Sequence, residues 1–154
     1  MAESDDIKVV VRNRKARRDF HIEKTFEAGI ELKGAEVKSL RDGKVNLSDA
    51  HAVVFDGQVI LKNLHISPYG MATTEALDPL RPRRLLLHKR EIGKLYVQTE
   101  QRGMTLIPLT IYFKGKLAKI ELALAIGRKK YDKRQAIAKA DAERRMKQAL
   151  KKDR

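Results

Sequence analysis

Apolar positions along this chain recur mostly at two-residue spacing, in short runs punctuated by Gly, Pro and Asp, a pattern that predicts strands joined by tight turns. Val53-Val54-Phe55 and Val59-Ile60-Leu61 flank Asp56-Gly57-Gln58, and Asp-Gly supplies the positive φ angles of a hairpin turn. Leu106 to Phe113 and Leu117 to Ile126 flank Lys114-Gly115-Lys116 in the same way. The second arm of that hairpin sets Ala118, Ile120, Leu122, Leu124 and Ile126 on one face and Lys119, Glu121 and Ala125 on the other, so one face is expected to be buried and the other wet. Pro108 lacks a ladder donor and predicts an edge position or a bulge. From Asp19 to Lys33, Phe20, Ile22, Phe26, Ile30 and Leu32 suit a long strand bent near Ala28-Gly29.

Helical spacing appears in two places. Ala35, Val37 and Leu40 lie between Gly34 and a stop at Gly43, and Ile92, Leu95, Tyr96 and Thr99 run towards Gly103. Between the hairpins, Asp78-Pro79-Leu80-Arg81-Pro82-Arg83-Arg84 reads as a loop leading into Leu85-Leu86-Leu87. If that run is a strand, either Leu86 or its two neighbours face outward. About five or six strands with helices capping them, rather than alternating with them, favour a mainly β fold: a small closed barrel of the oligonucleotide-binding (OB-like) type.

Charge changes the picture at both ends. Residues 1–10 begin with Met-Ala-Glu-Ser-Asp-Asp and read as a flexible start, 11–127 as the barrel, and 128–154 as a basic tail. From Gly127 onward the chain has twelve Lys/Arg against four acids, with only Ile137, Met146 and Leu150 as large apolar residues after Arg134. That segment is expected to be disordered alone and helical once a polyanion docks. A second cationic cluster, Arg12 to Arg18, has five basic residues in seven. The net charge of +14 favours phosphate and makes nucleic acid the leading partner. No run approaches the ~20 apolar residues of a membrane span, and there is no Trp to anchor an interfacial helix. The absence of cysteine leaves no disulfide framework or thiolate metal site and permits a cytoplasmic protein.

Catalysis has weak support. His21, His51, His65 and His88, with Glu27, Glu36 and Asp49, are the residue types of a nuclease, but they form no metal-ligand or paired-carboxylate spacing and read as ordinary surface or strand residues. No enzyme and no cofactor is expected. Eight aromatic residues, none of them Trp, argue against a broad base-stacking surface, although Tyr131 within the basic tail is placed to stack on a base.

Asn13-Arg-Lys-Ala-Arg-Arg-Asp-Phe, Phe26-Glu-Ala-Gly-Ile, Glu36-Val-Lys-Ser-Leu-Arg, Asp78-Pro-Leu-Arg-Pro-Arg-Arg-Leu-Leu-Leu and Tyr131-Asp-Lys-Arg, in that order, resemble the small protein B family, the SsrA-binding proteins of bacteria. The resemblance spans about residues 9–154. It implies an OB-like barrel that binds the tRNA-like domain of tmRNA and brings alanylated tmRNA to a stalled ribosome, with elongation factor Tu as a further partner through that complex. It implies tmRNA contacts at Asn13, Glu27 and Leu86, supported by Lys15, Arg17 and the Gly43-Lys44 turn. It implies that Gly127, Arg128, Lys129, Tyr131, Asp132, Lys133 and Arg134 enter the small-subunit decoding centre while the tail follows the empty mRNA channel. The chain departs from the family's common Gly-Lys-Lys at Arg128, and Ile126 stands where a basic residue is common. A general single-stranded RNA-binding chaperone or translation factor is the alternative.

Overall fold

A computed structural model describes residues 6–69 and 77–152. In chain order the elements are β1 (Ile7–Arg12), α1 (Arg14–Asp19), β2 (Phe20–Ile30), α2 (Gly34–Arg41), β3 (Val45–Asn46), β4 (His51–Phe55), β5 (Gln58–Lys62), β6 (His65–Ile66), β7 (Arg83–Leu86), α3 (Lys89–Tyr96) with a π-helical turn over Val97–Gln101, β8 (Thr105–Lys114), β9 (Leu117–Gly127) and α4 (Arg128–Lys152). All strand pairs are antiparallel. The main sheet runs β1-β8-β4-β5-β7-β2-β9, and β9 also pairs with β8, so six strands return on themselves as a sheet ring.

Turn chemistry sets the ring's registers. Asp56 and Gly57 have φ of 52° and 70°, the left-handed pair of a two-residue hairpin, and they align Phe55 with Gln58. At the end of α2, Gly43 has φ 74°; its N–H donates to Leu40 O and that of Lys44 to Ser39 O, closing the helix as its position predicts. Pro108 sits beside a register shift in β8, between Pro108 and Thr110. The bulge is needed because β8 lies inside the sheet, with β9 on one side and β1 and β4 on the other.

Four expectations change. The N-terminal segment is not frayed to residue 10: β1 starts at Ile7 and pairs with β8 through Arg12. The break in β2 falls between Ile22 and Lys24, and Gly29 instead stays in register with Leu86 and Lys119. Arg83 and Arg84 belong to a strand, not to the preceding loop. The outer face of β9 is wet only at its start, since Ala123 and Ala125 are fully buried. They form a small second core with Ala16, Ile107 and Leu109, flanked by Phe20 and Ile22. Alanine is what makes this possible, because a short side chain lets α1 lie close against the sheet.

The main core fills the ring. Leu40, Leu61, Leu64, Leu95, Leu106, Ile111, Ile120 and Leu122 have no exposed surface, so truncating one to Ala would cost about 2–5 kcal/mol. A buried ion cluster fastens α2 to the chain entering β7. Arg83, 1% exposed, donates through Nε and Nη2 to Glu36 Oε2 at 2.8 and 2.6 Å, and its remaining donors reach Leu64 O and Pro79 O. Arg81 donates to both Glu36 oxygens, at 2.5 and 3.1 Å. Burial alone would raise the Glu36 carboxyl, but hydrogen bonds from Arg81, the Lys33 N–H and Arg83 outweigh it and hold it below its ordinary value.

Candidate nucleic-acid interface

Two of the residues expected to touch RNA lie in neighbouring rows on the outer face of β7, β2, β9 and β8. Cross-strand register lines up Leu86, Gly29, Lys119 and Tyr112 in one row, and Glu27, Glu121 and Thr110 in the next. Leu85 turns into the core, so Leu86 points outward, with about half its surface free. Gly29 has a steric reason to be glycine: a Cβ there would stand 3.3 Å from Leu86 Cβ. Leu86 thus lies against the sheet as an exposed apolar contact at the edge of a polar patch.

Glu27 accepts a hydrogen bond from Tyr112 Oη and has Lys114 Nζ 3.6 Å away. The Tyr112 bond, with smaller help from Lys114 and Lys119, lowers the carboxyl despite partial burial. Tyr112 is pushed up by burial and by Glu27, so it remains a neutral donor. Glu121 accepts from Thr110 Oγ1 and from Arg17 Nη2, both at 3.2 Å. Each acid therefore pairs with a cation, Glu121 with Arg17 and Glu27 with Lys114, and Lys119 stands in the neighbouring row of the same face. Of these, β9 alternation had placed Lys119 and Glu121 outward. Tyr112 and Thr110 were not singled out, and their signal was the β8–β9 register.

Asn13 differs from the other expected contacts, because it is buried. Its Nδ2 donates to Pro108 O and Leu47 O at 3.0 and 3.3 Å, while its Oδ1 accepts from Ala16 N–H at 3.1 Å, capping α1. It caps α1, the helix that carries Lys15 and Arg17. Lys15 is exposed beside a cleft of about 200 Å³ also lined by Asp19, Ser48, Asp49 and His51. Gly43 and Lys44 stand apart at the end of α2, where Lys44 O accepts from Ser67 N–H at 3.0 Å. Arg41 of that helix lies over the Phe113 ring at 4.4 Å, next to Lys114.

The tail leaves β9 without a break. Gly127 pairs with Phe20, and α4 follows directly, with no buried residue along its 25 positions. Lys129, Asp132, Lys133 and Arg134 are exposed. Arg128 is held: its Nε donates to Arg18 O at 2.9 Å and its Nη2 to Arg17 O at 3.3 Å. Tyr131 is not a free ring, since it stacks on His21 with centroids 3.7 Å apart and planes 13° from parallel. Beside it, Lys24, Arg102 and Arg134 rim a cleft of about 420 Å³ floored by Met104, Leu124 and Ile126. Of the other histidines, His51 lies in β4, His65 in β6 and His88 at the start of α3, so the four are spread over separate elements. Among the described residues no group of three or more His, Asp or Glu side chains is arranged to hold a metal, and no helix is long and apolar enough to cross a membrane.

A small sheet ring with one ordered polar face and a cationic helix outside the core defines a mainly β protein with two distinct charged surfaces. Its relatives make this specific. The profile of the SmpB protein family matches residues 10–152, and the chain belongs to that family. It is 59% identical over 147 residues to the SsrA-binding protein of Halothermothrix orenii, covering 96% of this chain and 95% of the relative. It is 52% identical over 144 residues to the SsrA-binding protein of Geobacter sulfurreducens, covering 94% of each. Among solved structures, a chain from "tmRNA-SmpB: a journey to the center of the bacterial ribosome" superposes with a TM-score of 0.65 at 50% identity, covering 78% of this chain and 84% of that one.

Proposed function

We propose that this protein binds the tRNA-like domain of tmRNA and delivers alanylated tmRNA to stalled ribosomes as a non-catalytic adapter of trans-translation in the cytoplasm. In this reading the sheet ring is a closed OB-like barrel forming one RNA-binding unit over residues 11–127, and 128–154 is a separate ribosome-binding arm. The outer face bearing Glu27 and Leu86 contacts tmRNA together with Lys15 and Arg17 of α1, with Gly43 and Lys44 as a further contact at the end of α2 and Asn13 acting from beneath α1. Lys119 and Tyr112 join that contact: Lys119 takes phosphate, and Tyr112 fixes the acceptor oxygen of Glu27. Gly127, Arg128, Lys129, Tyr131, Asp132, Lys133 and Arg134 bring the tail to the decoding centre, and the rest of α4 lies along the empty mRNA channel. Elongation factor Tu takes part through the alanyl-tmRNA complex.

The observation that carries this reading is the separation of surfaces in a chain with close SsrA-binding relatives: an ordered polar face on the body, and a basic helix with no buried residue. A fixed patch of paired acids and cations suits a folded RNA better than an arbitrary single strand, because its donors cannot rearrange to follow a flexible chain. The deciding experiment is binding of the full-length protein to tmRNA with excess unstructured RNA and tRNA as competitors. Binding that survives unstructured RNA is expected. Binding removed by it would favour the general single-stranded RNA-binding chaperone.

A further inference from the structure

We propose that Arg128, together with the His21–Tyr131 stack, is a clamp that fixes the first turn of the tail helix to the body and so sets the direction in which the tail leaves it. Three observations converge on this joint. Arg128 spends its fork on the last carbonyls of α1, Arg17 O and Arg18 O, groups that the end of a helix leaves without intrahelical partners. One turn further on, Tyr131 lies flat on His21 of β2. The two contacts grip α4 from different elements, so the root is held against rotation as well as separation. Arg17 links the joint to the body's RNA face, because its own guanidinium pairs with Glu121.

Arg128 is therefore a positioning residue and not a phosphate contact; Lys129, Lys130 and Lys133 remain exposed for phosphate. The identity of the residue matters. A planar fork reaches two carbonyls at once, whereas a lysine ammonium at the end of a flexible stem does not hold the same geometry. The contact made here, to Arg18 O and Arg17 O together, is one that arginine suits. The distal tail has no buried side chain to orient it, so its direction is inherited from this first turn.

The chain has no cysteine, so Lys62→Cys on β5 and Ala138→Cys on α4 give two unique sites for spin labels in the full-length protein. Electron-resonance distance measurement should give one narrow distribution for the parent and a broad one for Arg128→Lys. His21→Ala should broaden it too, and His21→Phe, which restores a ring for Tyr131, should return it to narrow. A parent distribution as broad as that of Arg128→Lys would overturn the clamp, as would an Arg128→Lys distribution as narrow as the parent. The functional consequence rests on the adapter reading: Arg128→Lys should lower tagging on stalled ribosomes several-fold while tmRNA affinity stays within twofold. Unchanged tagging with a broadened distribution would overturn the coupling to function and leave the joint standing. Loss of the adapter activity in the parent would refute that reading without touching the distances.

Discussion

The ring and the tail use charge in opposite ways. In the body, acids and cations are spent on one another: Glu36 with Arg81 and Arg83, Glu121 with Arg17, and Glu27 with Lys114. Along α4 one ion pair, Arg144 with Asp141, is present among the described residues, and no side chain is buried. Paired charge in the body fixes side chains in place, most firmly at the buried Glu36–Arg83 pair, and most charge in the tail is left unpaired. The same residue types thus carry different predictions according to where they lie.

The largest effect should come from the ion cluster. Glu36→Ala leaves Arg83 charged in a buried site, and such a loss costs about 3–5 kcal/mol. Urea denaturation should show it as a large drop in midpoint. Because the Glu36 carboxyl is held below its ordinary value of 4.5 in the folded protein, its charged form stabilises the fold fully above that value. The contribution declines as pH falls through the lower folded value. Stability of the parent should therefore fall with acid more steeply than that of Glu36→Ala. Parallel acid limbs would show that the cluster does not contribute in this way.

Asn13→Ala comes next. It removes the α1 cap and leaves Pro108 O and Leu47 O without their side-chain donor, at a cost of about 1–3 kcal/mol. If Asn13 acts by positioning α1, body-RNA affinity should fall in step with stability, and Asn13→Ser, whose hydroxyl keeps a capping acceptor for the Ala16 N–H, should recover part of each. A variant of parental stability that still loses affinity would make Asn13 a direct contact.

Gly29→Ala tests the face with little effect on the fold. The new methyl meets Leu86 Cβ at 3.3 Å, so Leu86 must shift by a few tenths of an ångström. Affinity for tmRNA should weaken a few-fold with the thermal midpoint nearly unchanged. Unaltered affinity would remove the Leu86 row from the interface.

How far the sequence revealed this molecule follows the range of each interaction. Asp56-Gly57, Gly43 and the β8–β9 alternation act between near neighbours, so both hairpins and the stop of α2 were legible. The bend of β2 was misplaced because Gly29 signals freedom of φ, whereas here its lack of a side chain admits Leu86 from another strand. Ala125 looked wet because alternation says nothing of a helix arriving from elsewhere to cover it. Glu36 and Arg83 lie 47 positions apart, and His21 and Tyr131 are brought together only by the pairing of β2 with β9. A site residue could thus be named from the family resemblance, while its role, as with buried Asn13, depended on contacts that only the fold creates.

The smallest effect on stability should come from the longest element. Ending the chain after Gln135 removes seven Lys/Arg and three acids yet leaves Arg128 and Tyr131 in place. Since α4 buries nothing, the urea midpoint should move by no more than about 0.5 kcal/mol in free energy, as for ordinary surface changes. Affinity for tmRNA should change little, and ribosome-dependent tagging should be lost. A stability loss well above that figure would mean that the distal tail packs on the body, and the contrast between a self-paired body and an open tail would fail at its root. A matching loss of tmRNA affinity would instead assign both surfaces to one RNA, and the tail's free cations would then serve the same partner as the ring's fixed ones.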